Sequence, residues 1–114
     1  MKAAIYTRSA TDSRECGFQR KELLEFARRH GLEVVDCYED VRRSGHDKSR
    51  PGMARLLTDA AKRKFSIILL RSLDRLTWEV PQLRRYLRKL ATHDVDCICP
   101  REVEDASGKC SHLR

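Results

Sequence analysis

Arg8, Ser9 and Thr11 stand where an apolar run stops: Ala3-Ala4-Ile5-Tyr6 passes through Thr7 into Arg8-Ser9-Ala10-Thr11-Asp12. A guanidinium beside hydroxyls suits phosphate, because its planar donor fork matches two phosphate oxygens at once. The same residues also read as a surface arginine followed by a helix N-cap, and at this point both readings stand. A second charged group follows another apolar run, Phe65-Ser66-Ile67-Ile68-Leu69-Leu70, which leads to Leu73-Asp74-Arg75-Leu76. Between the two lie Ser44-Gly45, in a charged stretch, and Ser49-Arg50-Pro51-Gly52. Taken alone, Ser44-Gly45 is a plain turn and Asp74-Arg75 a cap with a surface cation. Taken together, Arg8, Ser9, Thr11, Asp74 and Arg75 offer two hydroxyls, a carboxylate and two guanidiniums. Phosphoryl chemistry uses that set.

The elements that must position these groups follow from the pattern. Residues 1–7 are apolar without helical period and predict a buried strand. Asp12, Ser13 and Gly17 predict a polar loop. Residues 18–30 predict a helix with Leu23, Leu24, Phe26 and Ala27 on its apolar side and Gly31 as its C-cap. Residues 32–38, with Val34-Val35, predict the second strand, and 39–50 the longest connection. Ser49 is a good N-cap for a second helix, with Pro51 in its first turn and Met53, Leu56, Leu57 and Ala60 on one face. Residues 65–70 predict a central third strand. A third helix, 79–91, turns Leu83, Tyr86, Leu87 and Leu90 inward and Arg84, Arg85, Arg88 and Lys89 outward. Residues 95–99 predict the fourth strand, and the remainder a polar tail.

Strands alternating with helices predict an α/β fold, a three-layer sandwich with a mainly parallel sheet. In such a sheet, function gathers outside the carboxyl ends of the strands. That edge would collect Arg8, Ser9, Thr11, Asp74 and Arg75, with the Ser44 loop in reach.

The chain's 114 residues suit one domain, and 40% apolar residues suit a folded one. Lys and Arg number 24 against 17 Asp and Glu, for a net charge of +7. That balance points to a polyanion, nucleic acid first, as against a merely basic soluble domain. No apolar run is long enough to span a bilayer, and the opening turns polar too soon for a signal peptide. Five cysteines without a C-x-x-C pair predict reduced thiols and a cytoplasmic protein. Cys97, Cys99, Cys110 and His112 could be set out as zinc ligands, but the spacing is not that of a knuckle and burial on one strand face accounts for the first two. The outward basic stripe of α-helical residues, including Arg84 and Arg88, reads equally as a DNA-backbone contact or a solvated face.

The segments also match a family. The chain resembles the N-terminal catalytic domain of the serine recombinases, the resolvase and invertase group. Tyr6-Thr7-Arg8 with Ala10-Thr11-Asp12 is similar to that family's Tyr-x-Arg-Val-Ser-Thr opening. Asp40 with Ser44-Gly45, Arg50-Pro51-Gly52 and Leu73-Asp74-Arg75-Leu76 are similar to three further family segments, in the right order and spacing, and Glu102 and Gly108 also fall in place. The resemblance implies a resolvase-like domain over residues 1–100, with 101–114 leading toward a dimerisation helix and a DNA-reading domain. It implies DNA strand cleavage and rejoining through a 5′-phosphoserine link, duplex DNA as partner, and a dimer or tetramer in the full-length form. Arg8, Arg50 and Arg75 would surround the phosphate, with Ser44 and Asp74 beside them. Asp74 would protonate the leaving oxygen or orient Arg75. No metal or other cofactor is required.

The departures are as informative. The family's nucleophilic serine falls on Ala10, which has no nucleophilic atom. Ser9 is the alternative hydroxyl, with Thr11 on the other side, but strand alternation turns both away from the Ala10 direction. A family arginine falls on Trp78, and a glutamine on Arg14. Three accounts of Ala10 are open: an engineered inactive enzyme, a natural non-catalytic relative, or a rerouted nucleophile. Trp78 and Arg14 favour natural divergence. Two other classes stay in view: a DNA-binding or recombinase-interaction module that does not cut, and a flavodoxin-like regulatory domain. The last lacks both an acidic cluster after the first strand and a G-x-G-x-x-G turn.

Overall fold

The structure, a computed structural model, describes residues 1–41, 50–72, 75 and 80–100. Ser44, Asp74, Trp78, Glu102, Gly108, Cys110 and His112 lie outside the described residues. The described elements alternate: β1 (Lys2–Ser9), α1 (Ser13–Arg29), β2 (Glu33–Val41), α2 (Pro51–Ala61), β3 (Ile67–Leu69), α3 (Val80–Thr92) and β4 (Asp96–Ile98). The strands pair in parallel in the order β2-β1-β3-β4. This is the predicted α/β sandwich.

Alternation along β1 divides the core between the two faces of the sheet. Ala3 and Ile5 pack with Leu23, Phe26 and Ala27 of α1. Ala4 and Tyr6 face the other way, onto Met53, Leu56 and Ala60 of α2 and Leu90 of α3. Leu83, Tyr86 and Leu87 pack against that second cluster, as the helical period predicts, while Arg84, Arg85, Arg88 and Lys89 are exposed. From β1 the chain steps to β2 on one side and then returns past β1 to β3 on the other. The carboxyl ends of β1 and β3 therefore flank a switch point, where a parallel sheet opens a crevice.

Three local expectations shift. The helix predicted over 18–30 starts at Ser13, because Asp12 caps it by accepting from the Arg14 and Glu15 amides. The second strand runs on to Val41, carrying Glu39 and Asp40 into the sheet. The N-cap of α2 is Arg50, which gives no side-chain cap; Asp40 of β2 supplies it from across the fold.

Candidate functional site

The β1–β2 register sets Arg8 beside Asp40 at the carboxyl edge of the sheet. Asp40 is buried, and all of its described partners are donors. Its Oδ1 accepts from the Gly52 amide at 2.8 Å, and its Oδ2 from the Met53 amide at 3.0 Å and the Tyr6 hydroxyl at 2.7 Å. The first two bonds satisfy orphan N–H groups at the start of α2. They also explain Gly52: a Cβ there would lie 2.7 Å from the Glu39 carbonyl oxygen and 3.0 Å from either Asp40 carboxylate oxygen. Burial, and then the bond to Asp40, push the Tyr6 phenol far above its ordinary range, although the Arg50 and Arg8 charges pull it down.

With α2 anchored in this way, Arg50 immediately before it reaches the backbone of Arg75. Arg8 is fully buried and Arg50 is 5% exposed. Arg8 Nε donates to the Arg75 carbonyl oxygen at 3.1 Å, and Arg50 Nη1 donates to the same oxygen at 3.4 Å. The structure thus brings the Arg8 and Arg50 guanidiniums to the backbone of Arg75, although 42 residues separate Arg8 from Arg50 along the chain and 25 separate Arg50 from Arg75. The side chain of Arg75 turns toward α1, where its Nη2 lies 3.5 Å from Glu15 Oε1 and its buried Nε has no hydrogen-bond partner.

Ala10 is exposed at the turn that follows β1. Ser9 is buried, and its hydroxyl is committed inside that turn. Ser9 Oγ donates to Glu15 Oε2 at 2.9 Å and accepts from the Thr11 and Asp12 amides, each at 3.2 Å. Thr11 and Arg14 are exposed. The histidines at 30 and 93 lie at helix ends remote from this turn, and Cys97 and Cys99 sit within the core cluster, where burial pushes the Cys97 thiol up to about 12.

Two residues of the site escape a sequence reading. Glu15 collects Ser9, Thr11 and Arg75, and Gln19 donates to the Arg8 carbonyl oxygen at 3.1 Å. Their signal was their i, i+4 spacing on a helix, and it is visible only once the helix is started at Ser13 rather than at Phe18.

Two buried guanidiniums converge at the switch point of a parallel sheet, and a guanidinium fork matches phosphate oxygens. The comparisons agree on the class. Residues 3–112 match the family described as "Resolvase, N terminal domain", so the chain belongs to the resolvase N-terminal domain family, the catalytic domain of serine recombinases. None of the curated proteins matches it significantly in sequence. Among solved structures, the chain is similar to the N-terminal catalytic domain of TP901-1 integrase, at 29% identity and a TM-score of 0.81, with 95% of this chain and 85% of that one covered. It is also similar to a resolvase family site-specific recombinase from Streptococcus pneumoniae, at 25% identity and a TM-score of 0.75 over 96% of this chain and 78% of that one. The C-terminal catalytic domain of the IS607-like serine recombinase ISC1926 TnpA shares the fold, at 24% identity and a TM-score of 0.79, over 86% of this chain and 66% of that one. Among the described residues, no helix is long and apolar enough to cross a membrane.

Proposed function

We propose that this domain grips a phosphate of duplex DNA between Arg8, Arg50 and Arg75, and that it does not form the 5′-phosphoserine link of its family. The observation that carries this reading is the convergence of the Arg8 and Arg50 guanidiniums on the Arg75 backbone beside an exposed alanine. The Arg8 and Arg50 guanidiniums, fixed by burial, are preorganised for phosphoryl oxygens. Alanine at position 10 offers them nothing to transfer. The engagement of the Ser9 hydroxyl within its own turn supports leaving Ser9 out of the chemistry. Ser44 and Asp74 keep the roles the resemblance gives them, and Arg84 and Arg88 on the outer face of α3 add charge for the DNA backbone. The full-length protein works as a dimer or tetramer in the cytoplasm.

The test is incubation with supercoiled plasmid carrying the cognate site, followed by denaturing electrophoresis. The chain as it stands should give no covalent adduct, and Ala10→Ser should give one if the cations are competent. An adduct mapped to Ser9 or Thr11 in the unaltered chain would overturn this reading. In parallel, duplex binding should weaken with salt, log affinity falling by about 0.9 per phosphate neutralised for each unit of log salt.

A further inference from the structure

The crevice carries its own anion. Glu15, in the first turn of α1, is 35% exposed at its side chain and divides its two oxygens between two jobs. Oε2 accepts from the Ser9 hydroxyl at 2.9 Å and from the Thr11 hydroxyl at 3.4 Å. Oε1 faces Arg75 Nη2 at 3.5 Å and accepts from Gln19 Nε2 at 3.4 Å. A carboxylate with one oxygen on hydroxyls and the other on a guanidinium resembles a phosphate group in both charge and acceptor geometry. The buried Arg75 Nε is still without a partner, so the carboxylate meets only part of the fork. A phosphate, with more acceptor oxygens, can satisfy all of it.

Resting on the DNA reading above, we propose that Glu15 is an internal counter-anion that occupies the phosphate position when DNA is absent and must yield Arg75 for DNA to bind. The contact offsets the Arg75 charge in the free site and sets a threshold on phosphate binding. A helix N-terminus tolerates a carboxylate well, so the fold keeps Glu15 in place at little cost.

Glu15→Gln tests this, because the amide still accepts from Ser9 but no longer holds Arg75. The control is Glu25→Gln, which makes the same change in net charge. Glu25 lies ten residues further along α1, about 15 Å away at 1.5 Å per residue, and pairs with Arg28 and Arg29. Fluorescence anisotropy with labelled duplex at about 0.1 M salt, where the screening length is about 10 Å, should show Glu15→Gln binding about three- to fivefold tighter, the range of a partly exposed ion pair. Glu25→Gln should change affinity less than about 1.5-fold, since it stands beyond a screening length. In an Arg75→Ala background, the gain from Glu15→Gln should fall to the level of the control. A second readout needs no variant: the ¹³C resonance of the Glu15 side-chain carboxyl should move when DNA is added, while that of Glu25 should not. Equal effects of the two Gln variants, an undiminished gain without Arg75, or a Glu15 resonance indifferent to DNA would each overturn the proposal while leaving DNA binding intact. Failure of the unaltered chain to bind duplex at low salt would instead remove the DNA reading, and this inference with it.

Discussion

The two edges of the sheet carry charge of the same sign and use it in opposite ways. At the carboxyl edge, Arg8 and Arg50 are buried and aimed at one carbonyl oxygen, with Arg8 in register beside the buried Asp40. At the amino edge, Lys2, Arg63 and Lys64 are exposed around an open cleft of about 300 Å³, with Phe65, Ser66 and His93. Parallel topology accounts for the difference. Every βα unit puts helix N-termini at the carboxyl edge and helix C-termini at the amino edge. At the N-termini, free N–H groups attract acids: Asp12 caps α1 and Asp40 caps α2. Those acids are taken up by the helix amides, and the neighbouring Arg8 and Arg50 donate instead to the Arg75 carbonyl oxygen. At the C-termini, free carbonyls and the negative end of the helix dipole already answer the cations. Both α2 and α3 end there in left-handed residues, Arg63 at φ 56° and Asp94 at φ 58°, whose amides close the last turns. A net charge of +7 is thus a poor guide to which surface meets a polyanion; burial and aim separate the two edges.

The largest effect expected from breaking this contrast is that of Asp40→Ala. It strips the cap from α2 and leaves the Tyr6 hydroxyl and two amides without their acceptor. Leaving a buried donor unsatisfied costs about 1–3 kcal/mol, and about 3–5 kcal/mol is expected for the three together. Urea unfolding should show a loss of that size, with Asp40→Asn losing less because one acceptor remains. A loss below about 1 kcal/mol, an ordinary surface value, would mean that the carboxyl edge is not held as described.

Asp40 also shows where the sequence stops being legible. The strand–helix alternation, both core faces and the meeting of Arg8 with Arg75 can be read from periodicity, turn chemistry and segment resemblance. Glu39-Asp40 reads as the start of a charged loop, because nothing local announces that a carboxylate will be buried to cap a helix eleven residues later. The start of α2 is capped not by a neighbour in sequence but by this long-range partner. The start of α1 is hidden likewise: Ser13 and Gly17 look like loop residues, and only the Asp12 cap reveals that the helix has begun. What escapes is the long-range satisfaction of backbone donors, and with it Glu15 and Gln19.

A smaller effect sharpens the same picture. Tyr6→Phe removes one donor from Asp40 and should cost about 1–2 kcal/mol near neutral pH. It should also change the alkaline limb. The folded state holds the Tyr6 proton to far above the ordinary value of 10.0, through burial and the Asp40 bond. Above pH 10 the unfolded chain therefore binds fewer protons than the folded one, and stability falls as pH rises. Below pH 10 the contribution is fully present. Tyr38, raised by burial and its bond to Asp59, adds to the same limb. Denaturant midpoints measured from pH 8 to 11 should fall less steeply for Tyr6→Phe than for the unaltered chain. Identical slopes would show that Tyr6 is not the buried, protonated donor its geometry describes.

The smallest effect belongs to the amino edge. Lys64 is about half exposed, and its Nζ lies 3.3 Å from Asp59 Oδ1 at the end of α2. An exposed pair of this kind contributes at most about 1 kcal/mol. Lys64→Ala should leave the fold nearly unchanged and should lower duplex affinity less than about twofold, through net charge alone. Arg50→Ala, one guanidinium removed from the carboxyl edge, should cost about tenfold under the same conditions, the loss of a charge-assisted contact to phosphate. The ratio of the two losses in one salt titration measures how far burial and aim outweigh charge. If Lys64→Ala weakened binding as much as Arg50→Ala, the amino edge would be a DNA surface in its own right. The cations there would then be free of the helix C-termini they now answer.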